Sequence, residues 1–201
     1  MTATADTLPV ERLILVAAAA MDNGAAELTR LDRAIGDADH GTNMKRGFDA
    51  LRAIAAELAD MPWPDGLERA GRTLVLSIGG AAGPLYGSLL LGMGEAARDG
   101  ASVAEQVATG VARVGARGRT EAGAKTLLDV LIPVSRALAE RHPPRQIRTV
   151  ADAACESTRA MVATRGRAAF LGERSRGHID PGAASSRLLV QAICDVLEEE
   201  Q

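Results

Sequence analysis

The sequence predicts an all-α fold: eight antiparallel helices in an up-and-down bundle or barrel, forming one domain over residues 1–201. Three observations predict it. Stretches that alternate apolar and polar residues, the mark of half-buried strands, are missing. Aromatic residues make up 2% of the chain, while small and straight-chain helix formers dominate it. A helical pattern of roughly 14 to 20 residues followed by a short Gly/Pro break recurs from end to end. The length of 201 residues suffices for one full core or at most two small ones, and no Ser-, Gly- or Pro-rich linker divides the chain.

The elements are taken in chain order. The first helix runs from about Pro9 to Glu27, with Leu13, Val16, Ala17, Ala20 and Met21 on one stripe. After an acidic segment a second begins at Met44 and fades near Asp60, ahead of a connector at Pro62-Trp63-Pro64. Asp65-Gly66-Leu67-Glu68 resembles a capping box and opens the third, which ends at Gly79-Gly80. Pro84 suits the first turn of the fourth, which lasts to about Asp99. Ser102-Val103-Ala104-Glu105 opens the fifth and Gly115 closes it. The sixth starts near Ala124 and contains Pro133, where a kink is expected. After the His142-Pro143-Pro144 connector, Thr149-Val150-Ala151-Asp152 opens the seventh, which ends at Arg165-Gly166. The eighth runs from about Gly182 into the acidic tail.

In an up-and-down array, alternate connections lie at the same end. The four connections rich in glycine and polar groups are Asp32 to Asn43, Gly79 to Gly87, Arg117 to Gly123, and Arg165 to Gly182. They come after the first, third, fifth and seventh helices. All four are therefore expected at one end, where separately weak motifs become one site.

Composition narrows the function. The net charge is −3 with acids and bases interleaved, and the chain holds two Phe, one Tyr and one Trp. With no basic stripe and few rings to stack on bases, nucleic acid is excluded as a partner. The start, MTATADTLPVER, is not a secretory signal, and no apolar run reaches membrane-span length, so a cytoplasmic protein with no membrane partner is expected. Cys155 and Cys194 lack metal-type spacing and read as small core residues in a reducing compartment.

The chemistry is concentrated in Asp32-Arg33-Ala34-Ile35-Gly36-Asp37-Ala38-Asp39-His40-Gly41-Thr42-Asn43. No apolar periodicity crosses this segment, so it is read as a loop, with Asn43 capping the next helix. Asp37 and Asp39 are two apart and point to one side of an extended chain, and Asp32 can reach back to join them. Three carboxylates this close repel unless a cation sits between them. All-oxygen ligands select a hard cation, usually magnesium with phosphate as co-ligand. A capping loop needs one short polar residue, not three acids and a histidine. An EF-hand fails, because Gly41 stands where a third ligand belongs and Phe48 where the bidentate glutamate should be. A D-x-D phosphatase motif fails too, because Leu31 to Gly36 does not read as the apolar strand that normally precedes it.

The other loops supply complementary groups. Gly79-Gly80-Ala81-Ala82-Gly83-Pro84 places backbone N–H groups at a helix start, which suits an anion. Arg117, Arg119, Arg165 and Arg167 offer guanidinium groups that suit phosphate oxygens. Asp180-Pro181-Gly182 is a turn leading into a helix. His40 could pair with phosphate, donate in catalysis, or hydrogen-bond within its own loop. His178 shares the site end, and His142 is a surface residue. Carboxylates, glycine-lined helix starts and arginines together describe a magnesium–nucleotide site for phosphoryl transfer, and a metal-dependent phosphatase would use the same groups.

Ile35-Gly36-Asp37-Ala38-Asp39-His40-Gly41-Thr42-Asn43-Met44 resembles the nucleotide-binding L subunit of bacterial dihydroxyacetone kinases. So do Gly79-Gly80-Ala81-Ala82-Gly83-Pro84-Leu85-Tyr86-Gly87, Gly166 to Ser175, and His178-Ile179-Asp180-Pro181-Gly182. The likeness runs in order through nearly the whole chain. It implies an eight-helix barrel binding ADP, or ATP as its phosphorylated form, at one end. It implies that Asp32, Asp37 and Asp39 hold two magnesium ions bridging the nucleotide phosphates. His40, Gly41, Thr42, Asn43, Ala81 and Ala82 would lie against the nucleotide, with Gly118, Leu127, Arg167, Asp180, Pro181 and Gly182 completing the pocket. Arg167 and His40 would serve catalysis.

Two departures stand out. Ala82 occupies a position where the family often has a hydroxyl residue, and Leu127 replaces a methionine. The family works in two modes, with ATP as substrate or with ADP retained and rephosphorylated. This chain resembles the second, phosphotransferase-dependent type. That implies a dihydroxyacetone-binding K subunit and a phosphohistidine-carrying M subunit as partners, and in some members a transcription regulator. The alternatives are an ATP-dependent kinase subunit for another small ketose, and an ADP-loaded regulatory binding protein.

Overall fold

The computed structural model describes residues 8–199, so the reading of the first seven residues lies outside the described part. Nine α-helices and no strands form among the described residues. They are α1 (Val10–Ile35), α2 (His40–Ala53), α3 (Ala55–Ala59), α4 (Trp63–Ser77), α5 (Ala82–Arg98), α6 (Val103–Gly118), α7 (Leu128–Ala139), α8 (Pro144–Ser157) and α9 (Pro181–Glu199). Eight are long, and α3 is a single extra turn after a break at Ile54.

The long helices form a closed ring in chain order. α1 packs on α2, α2 on α4, and each later helix on the next, until α9 returns to α1. Met21, Leu28, Met44, Leu74, Val114, Leu128, Val130, Ala151 and Ala183 fill the centre, essentially without solvent contact. Cys155 and Cys194 are buried and free, as expected, and burial pushes both thiols up to about 11, which keeps them protonated and inert.

Several boundaries differ from the sequence reading. α1 does not stop near Glu27 but continues to Ile35, because Leu28, Asp32 and Ile35 extend its buried stripe. Asp32 is therefore in a helix and not in a loop. The second helix starts at His40, so Asn43 lies inside it and caps nothing. Its side-chain Oδ1 instead accepts from Arg46 Nη2 (3.0 Å).

Trp63 and Pro64 open α4 rather than connecting two helices, and Asp65 pairs with Arg98 instead of capping. The capping box at Ser102 and Glu105 is present, but α6 runs past Gly115 to Gly118 and ends at Arg119 in the left-handed region. α7 begins at Leu128 and runs on through Pro133. The seventh long helix, α8, starts early, at Pro144, where proline costs no hydrogen bond, and ends at Ser157. From there the chain makes a long excursion, residues 158–180, with a 3₁₀ turn at Thr158–Ala160 and a 3₁₀ segment at Arg167–Ser175. The eighth long helix, α9, starts at Pro181, one residue before the expected Gly182.

Candidate functional site

A cleft of about 190 Å³ opens at one end of the ring. Its lining comes from residues 32–43, 79–86, 125–127 and 165–182, so four separate parts of the chain meet there. The third contribution differs from the expectation: Lys125, Thr126 and Leu127 line the cleft, whereas Arg117 and Gly118 do not. Arg119 and Thr120 line a separate cleft of about 670 Å³, and Arg165 borders both.

The acidic wall is built at the α1–α2 corner. Asp32 sits in the last turn of α1, and its Oδ2 accepts from the backbone N–H groups of Asp39 (2.9 Å) and His40 (3.1 Å). This carboxylate caps α2 from a different helix, a charge-assisted contact worth about 1 kcal/mol or more. Gly36 permits it, because a Cβ there would collide with the Asp32 carboxylate. Gly41 permits the two helices to close up, because a Cβ would meet the Ala25 carbonyl and Thr29 of α1. Ala38 turns the chain between them with φ of 63°. The result brings one carboxylate oxygen each from Asp32, Asp37 and Asp39 within 4.8 Å of one another, with Asp37 and Asp39 exposed to the cleft. Three carboxylates converging at this corner give all-oxygen donors that fit a hard divalent cation.

His40 is held rather than free. Its Nε2 is 2.9 Å from Ser185 Oγ, which is 2.8 Å from the Tyr86 hydroxyl, which is in turn 2.8 Å from Ser186 Oγ. Burial lowers the imidazole pKa, against the opposing pull of Asp32 and Asp39, so the ring is neutral at physiological pH. Burial likewise pushes the Tyr86 hydroxyl up to about 12, so it remains a donor. Tyr86 entered the sequence reading only as a member of the 79–87 segment, with no role assigned, and Ser185 and Ser186 did not enter it, because two serines among helical apolar residues carry no spacing signal.

Facing the carboxylates is Arg167, at the start of the 3₁₀ segment. Its guanidinium lies 2.8 Å from Asp37 Oδ2, and its side chain is 70% exposed. An exposed pair of this kind is worth about 1 kcal/mol or less, so it yields easily to a stronger ligand. Between the walls, Gly79, Gly80, Ala81 and Ala82 run into the N-terminus of α5. Asn43, Leu127 and the Asp180-Pro181-Gly182 turn complete the lining. Gly41 is buried against α1, Thr42 faces solvent, and neither lines the cleft. His142 pairs with Glu140 at 3.3 Å, and His178 is exposed.

Sequence reading also missed Lys125 and Asp129. Lys125 is 1% exposed, in a left-handed conformation (φ 62°), and its Nζ donates to the carbonyls of Thr158 (2.7 Å), Met161 (3.3 Å) and His178. Asp129 accepts from the N–H groups of Gly123 (2.5 Å) and Thr126 (2.6 Å). A usable signal existed, because the chain has only two lysines against 21 arginines.

A closed helical ring with an acidic, glycine-lined cleft at one end defines the class, and the chain belongs to the DAK2 domain family, which residues 34–195 match. Among curated relatives, it is 42% identical over 170 residues to the ADP-binding subunit DhaL of PEP-dependent dihydroxyacetone kinase 1 from Listeria innocua, covering 83% of this chain and 84% of that one. It is 38% identical to the corresponding ADP-binding subunit of the Escherichia coli PEP-dependent kinase, covering 86% and 88%. These relatives are subunits of kinases acting on dihydroxyacetone. In fold, it matches the crystal structure of the dihydroxyacetone kinase of C. freundii with a TM-score of 0.79 at 22% identity, over 92% of this chain and 34% of that one. No helix among the described residues is long and apolar enough to cross a membrane.

Proposed function

We propose that the chain is the ADP-binding subunit of a dihydroxyacetone kinase. In this reading it passes phosphate from a phosphohistidine on an M subunit, through magnesium-held ADP, to dihydroxyacetone on a K subunit. The observation that carries this is the convergence of three carboxylates, an α-helix N-terminus and one guanidinium in a single cleft. Near full-length similarity to subunits named as ADP-binding supports it, as does the fold shared with a kinase solved with AMP-PNP and Mg2+.

Asp32, Asp37 and Asp39 would hold magnesium, two ions in the family pattern, and its charge would neutralise phosphate oxygens. Backbone N–H groups at the start of α5 would receive phosphate, so Ala82 without a hydroxyl leaves that task to the main chain. Arg167, released from Asp37, would stabilise charge on the transferring group. The neutral His40, fixed by Ser185, would orient the nucleotide rather than carry phosphate itself. Exposed Phe170 and Leu76, 90% and 87% accessible, flank the same end and suit a partner that covers the cleft. The setting is the cytoplasm.

A second reading is favoured by one observation: a relative named D-erythrulose kinase, from Mycolicibacterium smegmatis, shares 33% identity over 92% of this chain, although the chain spans 35% of that protein. A four-carbon ketose would use the same cleft, and the K-like partner would decide the acceptor. Native mass spectrometry of gently purified protein is expected to find ADP and magnesium bound. Mixed with a K subunit and ketose, the ADP-loaded chain should be inactive with free ATP and active once the phosphohistidine donor is added. Vigorous turnover on ATP, with labelled nucleotide exchanging during catalysis, would make it an ATP-dependent kinase subunit instead. Binding without any transfer would make it a regulatory protein.

A further inference from the structure

We infer that Lys125 is a positioning residue: it clamps both ends of the 158–180 excursion and thereby sets where Arg167 stands across the cleft. Two of its acceptors, Thr158 and Met161, lie where the excursion leaves α8, and the third, His178, lies where it returns. All three ammonium protons are thus used on carbonyls at the two feet of one loop. Three convergent carbonyls match a compact ammonium and not the planar fork of arginine, which accounts for a lysine in a chain built on arginine. The lysine is itself fixed: Asp129 holds the N–H groups on both sides of it, at Gly123 and Thr126, and imposes the left-handed turn.

Three arginine tethers of the excursion are exposed: Arg159 Nη1 donates to the Gly177 carbonyl (3.2 Å), Arg176 Nη1 to the Ala160 carbonyl (3.3 Å) and Arg165 Nε to the Arg119 carbonyl (3.1 Å). Asp180 N–H donates to Thr158 Oγ1 (3.1 Å) and Gly177 N–H to the Arg159 carbonyl (2.8 Å), which close its base. Thr164 N–H reaches the carbonyl of Ala124 (3.2 Å), the neighbour of Lys125. Ala163 and Ala168 pack on Ile35 at the end of α1, the helix that carries Asp32. Lys125 is therefore a buried cation that joins the cleft floor to both feet of the segment that bears Arg167. A shift of the feet moves the guanidinium relative to the carboxylates, and misplacement by about 1 Å can cost as much as a hundredfold in rate.

The consequence for turnover rests on the nucleotide reading, and the clamp itself does not. Hydrogen exchange in the nucleotide-free protein tests the clamp: Lys125→Met should speed exchange of amides in 160–178 and leave α4 to α6 unchanged. Unchanged exchange in 160–178 would overturn it. A double-mutant cycle tests positioning. Lys125→Met should lower kcat roughly tenfold while affinity for Mg·ADP stays within about threefold, and in an Arg167→Ala background it should lower kcat less than about twofold. An equal factor in both backgrounds, or lost affinity with kcat intact, would reduce Lys125 to a purely stabilising residue. If Lys125→Met does not fold, Thr158→Ala, which loosens the same foot without removing a buried charge, should show the same non-additivity with a smaller factor. Should the unaltered protein bind no Mg·ADP, the nucleotide reading fails while the exchange result still decides the clamp.

Discussion

The two walls of the cleft are made in opposite ways. The acidic wall is one stretch of chain, residues 32–43, in which a helix end, a four-residue turn and a helix start present their carboxylates locally. The arginine wall is an excursion of more than twenty residues that contains no α-helix or strand, only 3₁₀ segments, held by a lysine more than thirty positions earlier. The first is rigid because both flanking helices are in the core. The second has only a small apolar cluster and polar tethers, so it belongs to the low-stability part of the molecule. A cation site demands fixed ligands, whereas a segment that must admit and release nucleotide gains from loose attachment.

Breaking the acidic wall should have the largest effect. Asp39→Ala and Asp37→Ala each remove a charged oxygen donor and should abolish retention of Mg·ADP and phosphoryl transfer while circular dichroism shows full helicity. The nucleotide-dependent rise in Tm, worth a few kcal/mol where ligand is in large excess over Kd, should vanish. Full retention in both variants would remove the metal assignment. Breaking the arginine wall should act on rate: Arg167→Ala is expected to cost roughly a hundredfold in turnover with little loss of affinity, because its contribution is greatest in the transition state. Arg167→Lys should recover only part of it. Steady-state kinetics beside calorimetric titration separates the two effects.

The base of the arginine wall should show in pH dependence. Burial raises the Asp180 carboxyl from the ordinary 3.8 to about 7, with Asp129 adding to the rise and Lys125 and the N–H groups of Ala183 and Gly182 opposing it. Since the folded chain keeps this proton more tightly than the unfolded one, Asp180 should cost stability progressively as pH climbs from about 4 to about 7. Asp180→Asn, which still accepts from Ala183 N–H, should flatten that slope, so its stability relative to the parent should rise across the same window by a few kcal/mol at most. Denaturant titrations at several pH values would show it, and parallel slopes would mean the carboxylate is better compensated than its burial implies. The smallest effect is expected at the floor between the walls. Leu127→Met conserves volume at a buried position and should change stability by less than about 1.5 kcal/mol, with affinity for Mg·ADP nearly unaltered; a large affinity change would give Leu127 a specific contact with the nucleotide.

What could be read from residues alone was what short-range chemistry determines. Helical periodicity, Gly/Pro breaks and the capping box at Ser102 established an all-α chain, and the parity of its connections predicted four polar loops at one end, of which three contribute to the cleft while the 117–123 loop lines a separate one. The carboxylate cluster was legible because its members are within eight positions of one another. The ends of α1 and α2 were misread because acidic residues look like a loop until Leu28 and Ile35 are seen to be buried. Tertiary structure alone decided that Asp32 caps a helix it does not belong to, that Ser185 fixes His40 from 145 positions away, and that Lys125 is buried. Each depends on a polar group leaving water only when a partner from a distant segment replaces it, and spacing in the chain does not encode that distance. Sequence supplied the charges of this protein; closure of the ring decided which of them lost their water and what they hold in its place.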